Sequence, residues 1–548
     1  MEVQILSSEI RSRKRSWPEV VLFGRSATGE SVAIAVPYAK PYLLVKTDHS
    51  YENVVLLAQF LSRELNKKSK YWGTELLGFR NPDGSTKLDL WGVRQLVFVQ
   101  QEPIFAREFY GYDPNPSRFF KLELPDPGLV FKARNLLLGC AGSRSGGEQW
   151  MPDDAIRRLF PGRAAELAAC QLANRRRQYA DAPFGVFSFR VAEANLELGM
   201  SVCDTLGITP GGWVTAPMKL IDSSYKRTIV KHEVEGRPER LDKDGNAPVR
   251  VLSWDIEVIT KDLGGGATQF FDGDSPNAQL LCISAVWFDH GKQATTSMCF
   301  SLSPEEQKYT RMKAADDPKH IFVTYWFASE LQLINAFCDY VNDIDPDVIT
   351  GYNINGFDIP WLLKRLAALG VEKNKLPIGR LNNSSIVELK GDNQRIPFLC
   401  PGRVMMDLYG WVKKNRQLRQ YNLDYVAEEY LGMKKLDVAY SEIGEMQSTP
   451  EGRHKLAQYC ELDSRLVCSL FRCKKLDVLN RELAVSLVCK VMLQDLNQKG
   501  TQNLLRGKLI GAAHSKGFVL PFEPALGDEE LEDAEYEVRT NNNSTNLS

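Results

Sequence analysis

Apolar and polar positions alternate in two different rhythms along this chain, and the change between them marks its elements. In VLSWDIEV the apolar Val251 and Leu252 and their β-branched flank predict a buried strand, on which Asp255 and Glu257, two apart, project from one face. AQLLCISAVWF and SMCFSL predict further strands. Helices then alternate with strands through LQLINAFCDYVNDI, DVITGY and PWLLKRLAAL. HKLAQYCELDSRLVCSLF repeats its apolar residues at helical spacing, so Tyr459 and Asp463, at i and i+4, share a helix face. Residues 249–476 therefore predict an α/β domain around a mixed sheet. Within it, DPDVITGYNINGFDIPWLL reads as a short strand, a turn at Asn355-Gly356 and a helix with Asp358 at its start.

Before this stretch, residues 1–245 predict an α+β domain: VVLFG, VAIAVPY, YLLVK and LVFVQ as strands and YENVVLLAQFLSREL as a helix. A helix-rich insert is expected from Asp153 to Tyr179, ending in Arg175, Arg176 and Arg177, which read as plain surface. The charged segment from Glu233 to Pro248 reads as a linker. A β-hairpin turning at Gly391-Asp392-Asn393 is expected between the second and third acidic motifs. Residues 477–523 predict a helical segment, and the acidic, Asn-rich residues 524–548 lack the apolar content to fold. No solenoid-like repeat is visible.

Composition adds limits. With 548 residues, 43% hydrophobic and 25% charged, the chain has the makeup of a multidomain globular protein. Its 68 Lys and Arg against 69 Asp and Glu leave a net charge of -1, so any nucleic-acid surface must be local. Eleven cysteines without a C-x-x-C pair argue against a zinc ribbon and fit buried thiols in a reducing compartment. The N-terminus lacks a signal-peptide core and no run is long and apolar enough for a membrane span, which predicts a soluble intracellular protein. Arg11, Arg13, Lys14 and Arg15 form a basic cluster that reads as solvated surface or as a nuclear-import signal.

The chemistry lies in three acidic motifs: Asp255 with Glu257, Asn353 through Phe357-Asp358, and Tyr459 with Asp463. Together they supply four carboxylates and one phenol. Phosphodiester hydrolysis needs an activated water in line with phosphorus and a stabilised leaving oxygen, and two divalent ions about 3.5–4 Å apart do both. Hard oxygen donors suit Mg²⁺ or Mn²⁺ rather than Zn²⁺. Only six histidines occur, none within the motifs.

SWDIE, DPDVITGYNINGFDIPWL and YCELD resemble, in order, the Exo I, Exo II and Exo III motifs of the 3′-5′ proofreading exonuclease of family B DNA polymerases. PGRVMMDLYGWVKKNRQLRQYNLDYVAEEYLG and LLRGKLIGAAHSKGFVLP are similar to delta-like enzymes of eukaryotes and large DNA viruses. The resemblance implies a ribonuclease-H-like fold of the DEDD superfamily, tyrosine subtype. It implies that Asp255 bridges two Mg²⁺ ions and that Glu257 and Asp463 complete the nucleophile-side ion. Asp358 would support the second ion through water. Tyr459, a phenol with an ordinary pKa near 10, would orient the attacking water. Asn353 and Phe357 match positions that place the 3′-terminal nucleotide, and Asp407 matches a recurrent supporting acid. Lys413, Lys414, Arg416 and Arg419, with Trp411 and Tyr421, read equally as a single-strand grip or as a solvated face.

The palm motifs of a complete family B polymerase, DFxSLYPS and DTDS, are absent from the sequence. Expected partners are therefore single-stranded and primer-template DNA and a separate polypeptide carrying palm, fingers and thumb. The resemblance suits a nucleus or a viral replication site. A split polymerase, a truncated product and a free-standing exonuclease all fit, and a non-catalytic DNA-binding scaffold is the alternative from another class.

Overall fold

A computed structural model describes residues 1–11, 17–48, 50–69, 95–109, 115–141, 190–194, 196–217, 219–222, 226–260, 272–304, 308–371, 376–388, 398–436, 438, 442–499 and 501–520. The expected insert at 153–179, the turn at 391–393 and the tail at 524–548 lie outside these residues. The chain forms two compact units that do not follow it linearly. One comprises Met1–Glu9, Leu22–Ala35 and Leu206–Leu504; the other comprises Ile10–Val21, Val36–Thr205 and Leu505–Ser548.

The first unit is built on a seven-stranded mixed sheet in the order Tyr309–Lys313, Ile321–Phe327, Thr295–Leu302, Ala278–Asp289, Arg250–Thr260, Val348–Gly351, Val404–Asp407. Arg250–Thr260 runs antiparallel to Ala278–Asp289 and parallel to Val348–Gly351, which is parallel to Val404–Asp407. Successive side chains of a strand take opposite faces. Trp254, Ile256, Ile283 and Ala285 accordingly enter a core with helices Glu330–Ile344 and Asp358–Ala368. Cys282 and Cys299 instead pack against Leu456, Ala457 and Cys460 of helix Pro450–Arg472. The hairpin expected between the motifs is present as Val387–Glu388 paired antiparallel with Phe398–Leu399.

A buried charge network fixes the roots of two site strands. Asp347, just before Val348–Gly351, pairs with Arg25 at 2.8 Å and with Arg380 at 2.7 Å, and its Oδ2 accepts the Arg250 N–H at 2.8 Å. Asp345 receives Arg380 and Arg403, each at 2.7 Å.

The segment Glu233 to Pro248 departs from the expected linker. His232–Glu235 adds parallel to Ser31–Val36, and Glu239–Leu241 pairs antiparallel with Trp213–Thr215, in a six-stranded sheet. Its charges mislead because these are the two edge strands of that sheet, where polar side chains are at home. Glu233 is nevertheless buried, accepting the Arg227 and Thr228 N–H groups at 3.0 and 3.1 Å.

The second unit holds a sheet of Phe518–Val519, Ile104–Glu108, Ser117–Glu123, Tyr42–Lys46 and Arg190–Ala192, with Phe98–Val99 also on Ser117–Glu123. Helices Tyr51–Ser69 and Pro127–Ala141 bury Val54, Leu57, Leu61, Leu129 and Leu137 against it. His514, on helix Thr501–Ser515, is held between Asp204 at 2.5 Å and Glu193 at 2.8 Å, and Glu193 also accepts the Tyr42 hydroxyl.

Candidate nuclease site

Three elements bring the acids together. Asp255 and Glu257 stand on the strand Arg250–Thr260, Asp358 opens helix Asp358–Ala368, and Tyr459 and Asp463 lie one turn apart on helix Pro450–Arg472. Oxygens of Asp255 and Glu257 and the sulfur of Cys460 lie within 4.8 Å of one another. Asp358 is buried and accepts the Ile256 N–H at 3.2 Å, a bond that ties the second motif to the first. An acid in the first turn of a helix is also favoured by the helix dipole.

Electrostatics give the cluster its character. Burial, then the charges of Asp358, Asp463 and Glu257, holds the Asp255 carboxyl well above the usual carboxylate range. Burial and then the Asp463 charge push Glu257 up to about 8. Asp358 rises to about 7 because burial outweighs the backbone N–H bonds it accepts. Burial raises Asp463 too, against the opposing pull of Lys435. Carboxylates this close cannot all ionise without positive charge between them.

Lys435, which sequence reasoning missed, supplies one such charge. It ion-pairs with Asp463, and its ammonium lies 5.2 Å from the centre of the Tyr459 ring. Burial alone would lower its pKa; Asp463, Tyr459 and Asp255 overcome this and raise it. Its backbone is fixed by the Asp424 carboxylate, which accepts the Lys435 N–H at 3.0 Å, just past the left-handed Gly432 that ends helix Leu423–Leu431. The residue lies in a loop without periodicity, so the only available signal was a helix stop followed by two lysines. The phenol of Tyr459 is raised by burial and stays neutral.

The second motif is braced by Asp407. Its carboxylate accepts the N–H groups of Asn353 at 2.9 Å, Asn355 at 3.1 Å and Tyr409 at 3.0 Å, so it shapes the loop and caps helix Leu408–Asn415 at once. Asn353 is exposed in the left-handed region at φ 68°, and a Cβ at Gly356 would stand 2.5 Å from its Oδ1, which is why the turn needs glycine there. Phe357 is half-buried beside this turn.

The basic run divides. Lys413, Lys414 and Arg419 are exposed cations. Arg416 is instead committed to the carbonyls of Asn415, Lys475 and Leu476. Tyr421 donates to the Arg416 carbonyl at 3.1 Å, and Trp411 is buried on Glu482 at 2.6 Å.

The donor set suits oxygen-preferring divalent ions. Asp463 Oδ1 is buried without a hydrogen-bond partner, the state expected of an oxygen that awaits a cation.

A seven-stranded mixed sheet with an acid cluster between a strand and two helices defines an α/β domain with a candidate metal-binding site. Residues 191–426 match the family model described as DNA polymerase family B, exonuclease domain. That stretch is similar to a family B exonuclease domain, its fold is ribonuclease-H-like, and the match takes in Asp255, Glu257 and Asp358. It is 35% identical over 323 residues to the DNA polymerase delta catalytic subunit of Drosophila melanogaster, a match covering 57% of this chain and 27% of that one. With the delta catalytic subunit of Plasmodium falciparum it shares 31% over 255 residues, covering 45% and 21%. With the DNA polymerase catalytic subunit of Epstein-Barr virus it shares 26% over 356 residues, covering 62% and 33%. The matches therefore span a fifth to a third of these relatives. The family B DNA polymerase of Pyrobaculum calidifontis has the same fold, with a TM-score of 0.62 at 21% identity over 96% of this chain and 52% of that one. No helix among the described residues is long and apolar enough to cross a membrane.

Proposed function

We propose that the chain is the proofreading part of a delta-like family B DNA polymerase, removing nucleotides from the 3′ end of single-stranded or mismatched DNA. The observation that carries this is the convergence of Asp255, Glu257, Asp358 and Asp463 with the phenol of Tyr459 beside them. Asp255, Glu257 and Asp463 would hold one divalent ion, with Asp255 shared by a second that Asp358 supports. Two bound Mg²⁺ ions supply the acidified water and the charge that stabilises the departing 3′ oxygen.

The chain's own residues do the rest. Tyr459, neutral and on the same helix face as Asp463, orients the water by hydrogen bonding, which makes this the tyrosine subtype of the DEDD superfamily. Lys435 keeps Asp463 ionised and turned toward the site. Asn353, whose N–H Asp407 accepts, and Phe357 place the terminal nucleotide, and Lys413, Lys414 and Arg419 offer charge to the strand behind it. Kinship with polymerases supports DNA as the substrate and replication, nuclear or viral, as the setting. A palm-bearing polymerase part, on a separate polypeptide or on a longer chain, would present the primer end.

Digestion of a 5′-labelled single-stranded DNA oligonucleotide with Mg²⁺ tests the reading. A ladder shortening from the 3′ end in the wild type, absent in an Asp255→Ala, Glu257→Ala double variant, is expected. An equal ladder in both, or none in the folded wild type supplied with metal, would overturn it.

A further inference from the structure

Cys460 forms the floor of the acid cluster. Its Sγ and one carboxylate oxygen each of Asp255 and Glu257 are mutually within 4.8 Å, and the thiol donates a long hydrogen bond, 3.6 Å, to the Asp255 carbonyl and also bonds with the Cys282 thiol. The thiol is fully buried, whereas Asp255 and Glu257 are partly exposed, so an ion entering past the acids meets sulfur beneath them. A separate feature lies close by: Oδ1 of Asp463 is buried without a hydrogen-bond partner, on a carboxylate whose charge acts on both Asp255 and Glu257. Mg²⁺ has no use for a sulfur ligand, since it takes oxygen donors. Zn²⁺ and its heavier relative Cd²⁺ favour thiolate.

We propose that Asp255, Glu257 and Cys460 form a mixed carboxylate–thiolate site for a thiophilic divalent cation, Zn²⁺ or Cd²⁺, which competes with oxygen-preferring ions for the same acids. Zinc bonds of about 2.3 Å to sulfur and about 2.0–2.2 Å to oxygen in a tetrahedron draw ligand atoms nearer than 4.8 Å, a closure that small side-chain rotations provide. Solvent completes the fourth position. As the sulfur–metal bond forms, the S–H bond breaks and its proton passes to solvent. Such an ion, held on the soft side of the site, occupies Asp255 without supporting an in-line pair. That inhibitory consequence rests on the nuclease reading; the cation site itself does not.

The test adds Cd²⁺ to the full chain and follows the ultraviolet charge-transfer absorption of the cadmium–thiolate bond. The wild type should show a band saturating at one equivalent, lost in both Cys460→Ser and Cys460→Ala. In Asp255→Asn, Glu257→Gln the affinity should fall on the order of tenfold or more, as when a metal site loses supporting groups. A band that survives both Cys460 substitutions overturns the site. So does full affinity in the carboxylate variant, which would assign the ion to the neighbouring buried thiols Cys282 and Cys299 instead. In a parallel Mg²⁺-driven digestion, Zn²⁺ should inhibit the wild type at a concentration roughly tenfold below that needed for Cys460→Ser. Equal inhibition counts against the proposal. Absence of any Mg²⁺-driven digestion would count against the nuclease reading, while the cadmium band still decides the cation site.

Discussion

At the scale of single residues, the site is a balance between acids that repel and the few positive groups that let them coexist. Lys435 is the clearest case, because it touches both the Asp463 carboxylate and the Tyr459 ring. Lys435→Ala should lower exonuclease turnover about ten- to a hundredfold, the usual cost of removing a group that orients a metal ligand. Single-turnover hydrolysis of the terminal linkage would measure it, and an unchanged rate would remove Lys435 from the account. The acids themselves predict a linkage to pH. Glu257, raised to about 8, and Asp358, raised to about 7, hold protons in the folded chain that the unfolded chain releases near pH 4. Without divalent ions, stability should therefore fall as pH rises from about 4 through about 8. Mg²⁺ should raise the melting temperature, and by more at pH 8 than at pH 6, where it must displace those protons; thermal scans at the two pH values would check this.

At the scale of elements, the second unit carries a pH dependence of opposite origin. Burial alone would lower the His514 pKa, but the bonds to Asp204 and Glu193 raise it to about 10, above the unfolded value near 6.5. Its contribution is fully present below about pH 6.5 and is lost as pH rises through about 10. His514→Gln should flatten that alkaline loss in thermal scans; an unchanged slope would contradict it. Much of the element plan was legible in sequence because it rests on strong periodicity. Asp255 and Glu257 fall on one strand, Tyr459 and Asp463 on one helix, and Asp358 at a helix start. The rest was hidden for physical reasons. Lys435 stands in an aperiodic loop, and Cys460 looks like any core position of its helix. The segment from Glu233 to Leu241 is polar because it forms edge strands, and a linear reading takes such polarity for a linker. Arg416 and Tyr421 carry the residue types of a nucleic-acid grip, yet their hydrogen bonds are spent on the chain's own carbonyls.

At the scale of the whole molecule, no window of sequence reveals that Leu22–Ala35 belongs to the same compact unit as the acid-bearing sheet. Arg25 is buried on Asp347, whose carboxylate also receives Arg380 and the Arg250 backbone at the root of the Asp255 strand. Removing one member of a buried ion pair leaves an uncompensated charge, so Arg25→Ala should cost about 3–5 kcal/mol in denaturant unfolding. A fragment of residues 249–476 lacks that arginine and should fold poorly beside the full chain. A fully stable, cooperative fragment would show that the opening strands are dispensable. If the four acids assemble a two-ion site, it will show in a count of bound Mn²⁺ by paramagnetic resonance with a DNA oligonucleotide present. The wild type should bind two ions that a folded Asp255→Asn, Glu257→Gln variant does not; the same count in both chains would contradict the account.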